Sequence, residues 1–240
     1  MANQFRCEVK RGHGDVFLYG TIGGDWFGGV TADEVAKDIH SMGDIKTLSI
    51  YVNSLGGNVF DGIAIRSAFM RSNAEIDVTI DGVAASAASV AISIPDIPVV
   101  MAAGSRYMIH NPWGFGVGES DELRKTADLL DSIRSDLIDI YESRADGLSV
   151  ADIGKMMDDE TWLGAADAIG YGFATDMSEQ LAVAACACPE EMRRKLKHVP
   201  DELFSVVEPT EDDDIKEDDE EPSYNRLLMS RYRVARAKSG

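Results

Sequence analysis

Short β-branched runs that stop at small residues and give way to helices constrain this fold more than any other feature. Leu48, Ile50 and Val52 alternate with Ser49, Tyr51 and Asn53, the period of a strand. Gly56-Gly57 separates them from a helix carrying Val59, Ile63 and Met70. Ile76, Val78 and Ile80 mark a second strand, expected to stop at Gly82, and a helix of alanines and serines is expected near Ser86. Upstream, residues 15–22 read as a strand ended by Gly23-Gly24, and Thr31-Ala-Asp-Glu34 is a capping box ahead of Val35, Ile39 and Met42. Downstream, Val99 to Ala102 and Tyr107 to His110 read as short strands. Leu123, Ala127, Leu130, Ile133, Leu137 and Tyr141 predict a long amphipathic helix over 120–145. Ser149-Val-Ala-Asp152 caps a further helix, and Ala165 to Gly170 is one more, closed by Gly170 and Gly172. Strands alternating with helices predict an α/β domain with a largely parallel sheet.

The chain has 240 residues, 45% of them apolar, enough for one sizeable core plus a tail. Its net charge of −19 excludes a general nucleic-acid or anionic-membrane binder, because phosphate contacts need cationic side chains. Residues 201–222 hold 12 acids and one lysine, and residues 223–240 hold five basic residues and no acid. We therefore expect a globular domain over 1–180, a connecting segment over 181–204 and a disordered tail over 205–240. Within that tail Leu227, Leu228, Arg231 and Val234 have near-helical spacing, so a short docking helix is the alternative to a solvating segment. Cys7 stands alone, and Cys186 and Cys188 sit in Ala-Cys-Ala-Cys. Small reduced thiols suit this pattern better than a metal site, and they suit a cytoplasm. Val83 to Ala103 is apolar enough to raise a membrane question, but Pro95, Asp96 and Pro98 break it into two buried elements.

A serine nucleophile needs a base beside it, an acid to orient the base, and N–H donors for the oxyanion. The chain has four histidines. His13 is expected in a loop, His40 on a solvated helix face and His198 in a charged Lys-Leu-Lys-His stretch. His110 ends an apolar strand and is stopped by Asn111-Pro112, where a histidine points into a cleft or sits as a satisfied core residue. Ser86 follows a strand and opens a small-residue helix, which makes it either an exposed nucleophile among N–H groups or a plain helix cap. Gly56-Gly57 offers further N–H groups, or is a simple turn.

Four blocks in order carry a resemblance. They are Asn53-Ser-Leu-Gly-Gly57, Asp81-Gly-Val-Ala-Ala-Ser86-Ala, Arg106-Tyr-Met-Ile-His110-Asn-Pro112, and Glu160-Thr-Trp-Leu-Gly-Ala-Ala-Asp-Ala-Ile-Gly-Tyr-Gly172. Together they resemble the Clp protease proteolytic subunit family over roughly residues 15–180. Tyr19-Gly-Thr-Ile-Gly-Gly-Asp-Trp26 and the Glu-Thr-Trp-Leu block resemble its phage head-maturation branch. The resemblance implies the ClpP/crotonase-like fold of repeated ββα units in a spiral, with a long protruding helix. It implies Ser86 as nucleophile, His110 as general base, and the N–H groups of Gly57 and Ala87 as oxyanion hole. The family's aspartate position falls on Glu160, with Asp159 as fallback; a glutamate can orient a histidine with one more methylene. Leu55 stands where the family has proline.

The implied activity is serine endopeptidase cleavage, needing no metal and no cofactor. The implied partners are copies of the chain in a ring, with the helix near Ser120 mediating ring contacts, and polypeptide substrates. In the phage reading the substrates are capsid and scaffold proteins, handled in the host cytoplasm or prohead interior, and the tail docks to a capsid partner. Three rivals stand beside it: a housekeeping subunit fed by an ATPase, a crotonase-like acyl-CoA enzyme, and a non-catalytic ring scaffold. An α/β-hydrolase is disfavoured, because its order is Ser, acid, His and Ser86 lacks the Gly-x-Ser-x-Gly elbow.

Overall fold

The computed structural model describes residues 5–24, 28–181, 196 and 198–200. Trp26, Cys186, Cys188 and the tail expected over 205–240 lie outside the described residues. Strand β1 (Arg6–Lys10) turns into β2 (His13–Ile22), followed by α1 (Ala32–Ser41), β3 (Thr47–Gly57), α2 (Val59–Met70) and β4 (Glu75–Ala85). Then come α3 (Ala87–Ile92), β5 (Val99–Ala103), β6 (Arg106–Ile109), α4 (Ser120–Glu142), α5 (Val150–Asp158), β7 (Thr161–Leu163), α6 (Ala165–Gly170) and β8 (Asp176–Leu181).

The expected α/β class holds, with a mixed sheet. The main path runs β1-β2-β3-β4-β5-β8, and β6 branches from β4 to carry β7. The β2–β3, β3–β4, β4–β5, β4–β6 and β5–β8 pairings are parallel, while β1–β2 and β6–β7 are antiparallel. One face of β3 and β4 presents Leu48, Ile50, Val52, Val78 and Ile80, which share a buried cluster with Val35 of α1 and Ile65 and Phe69 of α2. The other face is polar and aromatic: Ser49 Oγ donates to Asp77, Tyr19 Oη donates to Asp81 at 2.5 Å, and Phe17 stacks on Tyr51.

Several sequence expectations need correction. Strand β4 does not stop at Gly82, because Val83, Ala84 and Ala85 find a ladder partner in Arg106, Tyr107 and Met108 of β6. Strand β3 likewise runs through Gly56 and Gly57, which pair with Thr21 and Ile22. His13 is no loop residue; it begins β2, with Nδ1 2.6 Å from Thr47 Oγ1. Strand β1 was hidden by its polar composition, although Arg11 and Gly12, both at positive φ, form the tight hairpin turn that joins it to β2. Strands β7 and β8 are short and have little periodicity to read. Helix α4 ends at Glu142, earlier than expected, and the stripe drawn along it splits. Ile133, Leu137 and Tyr141 are buried, whereas Leu123 and Ala127 are exposed.

No helix among the described residues is long and apolar enough to cross a membrane, and the stretch from Val83 to Ala103 is divided among β4, α3 and β5. Cys7 is a free thiol packed against the core; burial first, and Asp38 second, push it up to about 12.

The capping box at Thr31 is present in full: Thr31 Oγ1 accepts from the Glu34 N–H, and Glu34 accepts from the Thr31 N–H and Oγ1. These donors hold the Glu34 carboxyl below the usual glutamate range. Thr31→Ala is expected to cost about 1 kcal/mol in urea unfolding at pH 7. A depressed acid stabilises above its unfolded value, so the difference between variant and wild type should narrow as pH falls through the Glu34 titration.

Candidate active site

Where β4 ends, the chain makes a sharp turn at Ser86 before α3 begins. Ser86 has φ 56° and ψ −126°, a conformation that non-glycine residues adopt only when their surroundings hold them there. It is therefore not the plain helix cap that is the bland alternative, and its side chain makes no capping bond. Its N–H donates to the Met108 carbonyl of β6, and its own carbonyl accepts from the Val90 N–H and from Ser89 Oγ. Ser89 Oγ also meets the Met108 carbonyl at 2.7 Å and Tyr141 Oη at 2.9 Å. Ser93 Oγ reaches Tyr107 Oη at 2.7 Å. Burial raises both Tyr107 and Tyr141 above the ordinary tyrosine value, so both stay neutral donors beneath the turn. Ser89 of α3 and Ser93 at its C-cap, read in the sequence only as small residues, are thus the buried hydrogen-bonding floor of this site.

His110 is the residue after β6, and its Nε2 lies 2.8 Å from Ser86 Oγ. Because β4 and β6 run parallel, their C-terminal ends deliver serine and histidine to the same edge of the sheet. The structure therefore brings together two residues 24 positions apart in sequence. Beyond His110, Asn111 Nδ2 donates to Asp158 at 2.8 Å, while Arg134 donates to Asn111 Oδ1, Asp158 and the Gly154 carbonyl. This brace of Asn111, Arg134 and Asp158 ties the chain after His110 to α4 and α5. It was not read from the sequence, because its members are distant and individually ordinary. Asn111 first and Arg134 second hold Asp158 below the usual aspartate range.

Glu160 follows α5 and has φ 50°, in the left-handed region where a glycine commonly terminates a helix. It is 5% exposed, and its Oε1 accepts from the His198 backbone N–H at 2.8 Å and from Trp162 Nε1 at 3.3 Å. The β6–β7 register pairs Tyr107 with Leu163, Met108 with Trp162 and Ile109 with Thr161. Continued by one step, it sets His110 against Glu160. Asp159, the fallback, is the exposed C-cap of α5.

Gly56 and Gly57 have φ +90° and +148°, and both approach backbone. A Cβ on Gly56 would lie 2.6 Å from the Ala85 carbonyl oxygen and 2.7 Å from Ala87 N; one on Gly57 would lie 2.0 Å from the Ile22 carbonyl oxygen. The pair is therefore no generic turn: Gly56 abuts the Ser86 turn itself. The Gly56 N–H donates to Ser54 Oγ. Leu55, in the family's proline position, is buried against Val83, Ala85 and Met108. Among the described residues, no group of three or more His, Cys, Asp or Glu could hold a metal ion.

Comparison with known proteins shows the family and the fold. The family model described as Clp protease matches residues 15–180. An ATP-dependent Clp protease proteolytic subunit from Pleurastrum terricola is 36% identical over 130 residues, covering 54% of this chain and 66% of its own length. One from Bacteroides fragilis is 30% identical over 139 residues, covering 55% of this chain and 64% of its own. Subunit 3 from Rhizobium meliloti is 28% identical over 168 residues, covering 70% and 84%. The chain thus spans just under two thirds of the first two relatives. A ClpP1 mutant from Listeria monocytogenes has a similar fold, with TM-score 0.59 and 25% identity over 69% of this chain and 91% of that one.

Because a methyl group at position 56 would collide with the strained turn, Gly56→Ala should destabilise the chain by about 2 kcal/mol, read from a urea titration. A variant as stable as the wild type would mean that the Ser86 turn tolerates a wider approach.

Proposed function

We propose that this chain, which belongs to the Clp protease family, is a serine endopeptidase with Ser86 as nucleophile, His110 as general base and Glu160 as orienting acid. The observation that carries the reading is the 2.8 Å contact between Ser86 Oγ and His110 Nε2 on a strained turn. His110 takes the Ser86 proton as Oγ attacks the substrate carbonyl carbon. The carbonyl π electrons move to oxygen, and the N–H groups of Gly57 and Ala87 hold the resulting oxyanion. As the C–N bond breaks, His110 returns the proton to the leaving amine. Water then enters, His110 takes its proton, and the acyl-enzyme is hydrolysed to release the acid and restore Ser86. No step in this sequence calls on a metal or an organic cofactor.

Glu160 is favoured over Asp159 by burial and by register. An acid that orients a base works best shielded from water, where its charge is less screened. Against a crotonase-like acyl-CoA enzyme, or a ring component that only binds, stands the assembled Ser86–His110 pair, which neither role requires. Fold alone would not separate these functions.

The substrates we infer are unstructured polypeptides, and the assembly is a ring of identical chains. Phe115 and Val117, on the segment leading to α4, are exposed, as are Leu123 and Leu129 within it. Such a patch on an otherwise acidic chain fits a surface that meets another copy. Tyr19 to Trp26 and the Glu-Thr-Trp-Leu block support the finer reading, capsid and scaffold processing in a phage prohead. A second reading has its own support: the relatives described above are named as ATP-dependent subunits. Cleavage of co-assembled capsid protein without nucleotide would favour the first, and stimulation by a Clp ATPase the second.

On an unstructured fluorogenic peptide, Ser86→Ala and His110→Ala should each lower kcat by roughly 10⁴ or more with little change in KM. Glu160→Ala should lower it by ~10²–10⁴, and Asp159→Ala by much less. The reverse ranking of the two acids would move the third role to Asp159.

A further inference from the structure

We propose that Leu196, His198 and Val199 form a positioning strap for Glu160, with the His198 backbone N–H as its working donor. This inference rests on the reading of Glu160 as the orienting acid and extends the site to residues that follow β8 in the chain.

Two observations carry it. The His198 N–H donates to Glu160 Oε1 at 2.8 Å, closer than Trp162 Nε1 at 3.3 Å. On either side of that donor, Leu196 and Val199 pack with Trp162 against Leu55, Val83, Ala85 and Met108. Leu55 immediately precedes Gly56-Gly57, Ala85 immediately precedes Ser86, and the Met108 carbonyl receives the Ser86 N–H. The strap therefore rests on the three segments that place the oxyanion turn, the nucleophile and the base, while its backbone reaches the acid.

The physical need is clear. A glutamate has one more rotatable bond than an aspartate, and fixing it costs side-chain entropy. Two N–H donors on Oε1 restrict the rotation of the carboxylate plane. The His198 side chain is exposed, so the contact belongs to the backbone, and any residue with an N–H could make it. Pro200 restrains Val199 to extended conformations.

His198→Pro deletes this donor. In full-length protein on a fluorogenic peptide, kcat should fall roughly tenfold with KM within about twofold of wild type. His198→Ala, which keeps the N–H, should recover most of that loss. The decisive comparison is a double-mutant cycle: in a Glu160→Ala background, His198→Pro should cost nothing further. An unchanged kcat in His198→Pro, or the same loss with and without Glu160, would overturn the proposal. If His198→Pro fails to fold by circular dichroism, a chain ending at residue 195 goes through the same cycle. Failure of both to fold overturns it as well, since the segment then holds the core and not the acid. If Glu160→Ala keeps wild-type kcat while Ser86→Ala abolishes it, the assignment of Glu160 fails. If Ser86→Ala stays active, the peptidase reading fails.

Discussion

The Met108 carbonyl accepts from the Ser86 N–H and from Ser89 Oγ, and through it the end of β6 is fastened to the turn that follows β4. That fastening holds Ser86 in its left-handed conformation, whose cost of about 1–3 kcal/mol must be offset by surrounding structure. The offset is visible in the buried bonds among Ser89, Ser93, Tyr107 and Tyr141, and in the parallel pairing of β4 with β6. The same fastening sets the position of His110, two residues after Met108. Serine and histidine meet because one carbonyl governs both strand ends.

Close backbone approach is the second constraint. Gly56 lies against Ala85, Ser86 and Ala87, and Gly62 of α2 lies against the Ala87 carbonyl. A side chain at either position would push the Gly56-Gly57 segment or helix α2 away from the Ser86 turn. Glu160 is placed by different means. Glu160 occupies a left-handed position where glycine would be easier, and a local cost accepted at a site that does not need it points to a role for the side chain. Its burial and its two donors are consistent with that role.

Much of this was legible in the sequence, and what was not has identifiable causes. Leu48 to Val52 and Ile76 to Ile80 announced strands because aliphatic side chains line one face and polar or aromatic ones the other. Thr31 announced a helix start because its cap is local. The ends of β3 and β4 were misplaced because their partners, β2 and β6, come from elsewhere in the chain, and a tertiary ladder can carry a strand past glycines that would otherwise break it. Ser86 and His110 stood out by position, each with a bland alternative, and only the four blocks taken together implied their roles. Nothing local to either showed that their side chains would lie within hydrogen-bonding distance. The Asn111–Arg134–Asp158 brace and the contact from His198 to Glu160 were invisible for a stronger reason. The brace joins three separated elements, and the strap uses a backbone N–H that no residue type advertises. His198 itself was read from its basic neighbours, whereas its contribution lies in its backbone.

The central claim is that Ser86 is an activated nucleophile. The most direct measurement is to treat the assembled protein with a fluorophosphonate probe and map the adduct by mass spectrometry, with His110→Ala as the control. The account predicts a single adduct on Ser86 that is lost in His110→Ala. No adduct on the assembled wild-type protein, or an adduct on Ser86 that survives the loss of His110, would contradict it.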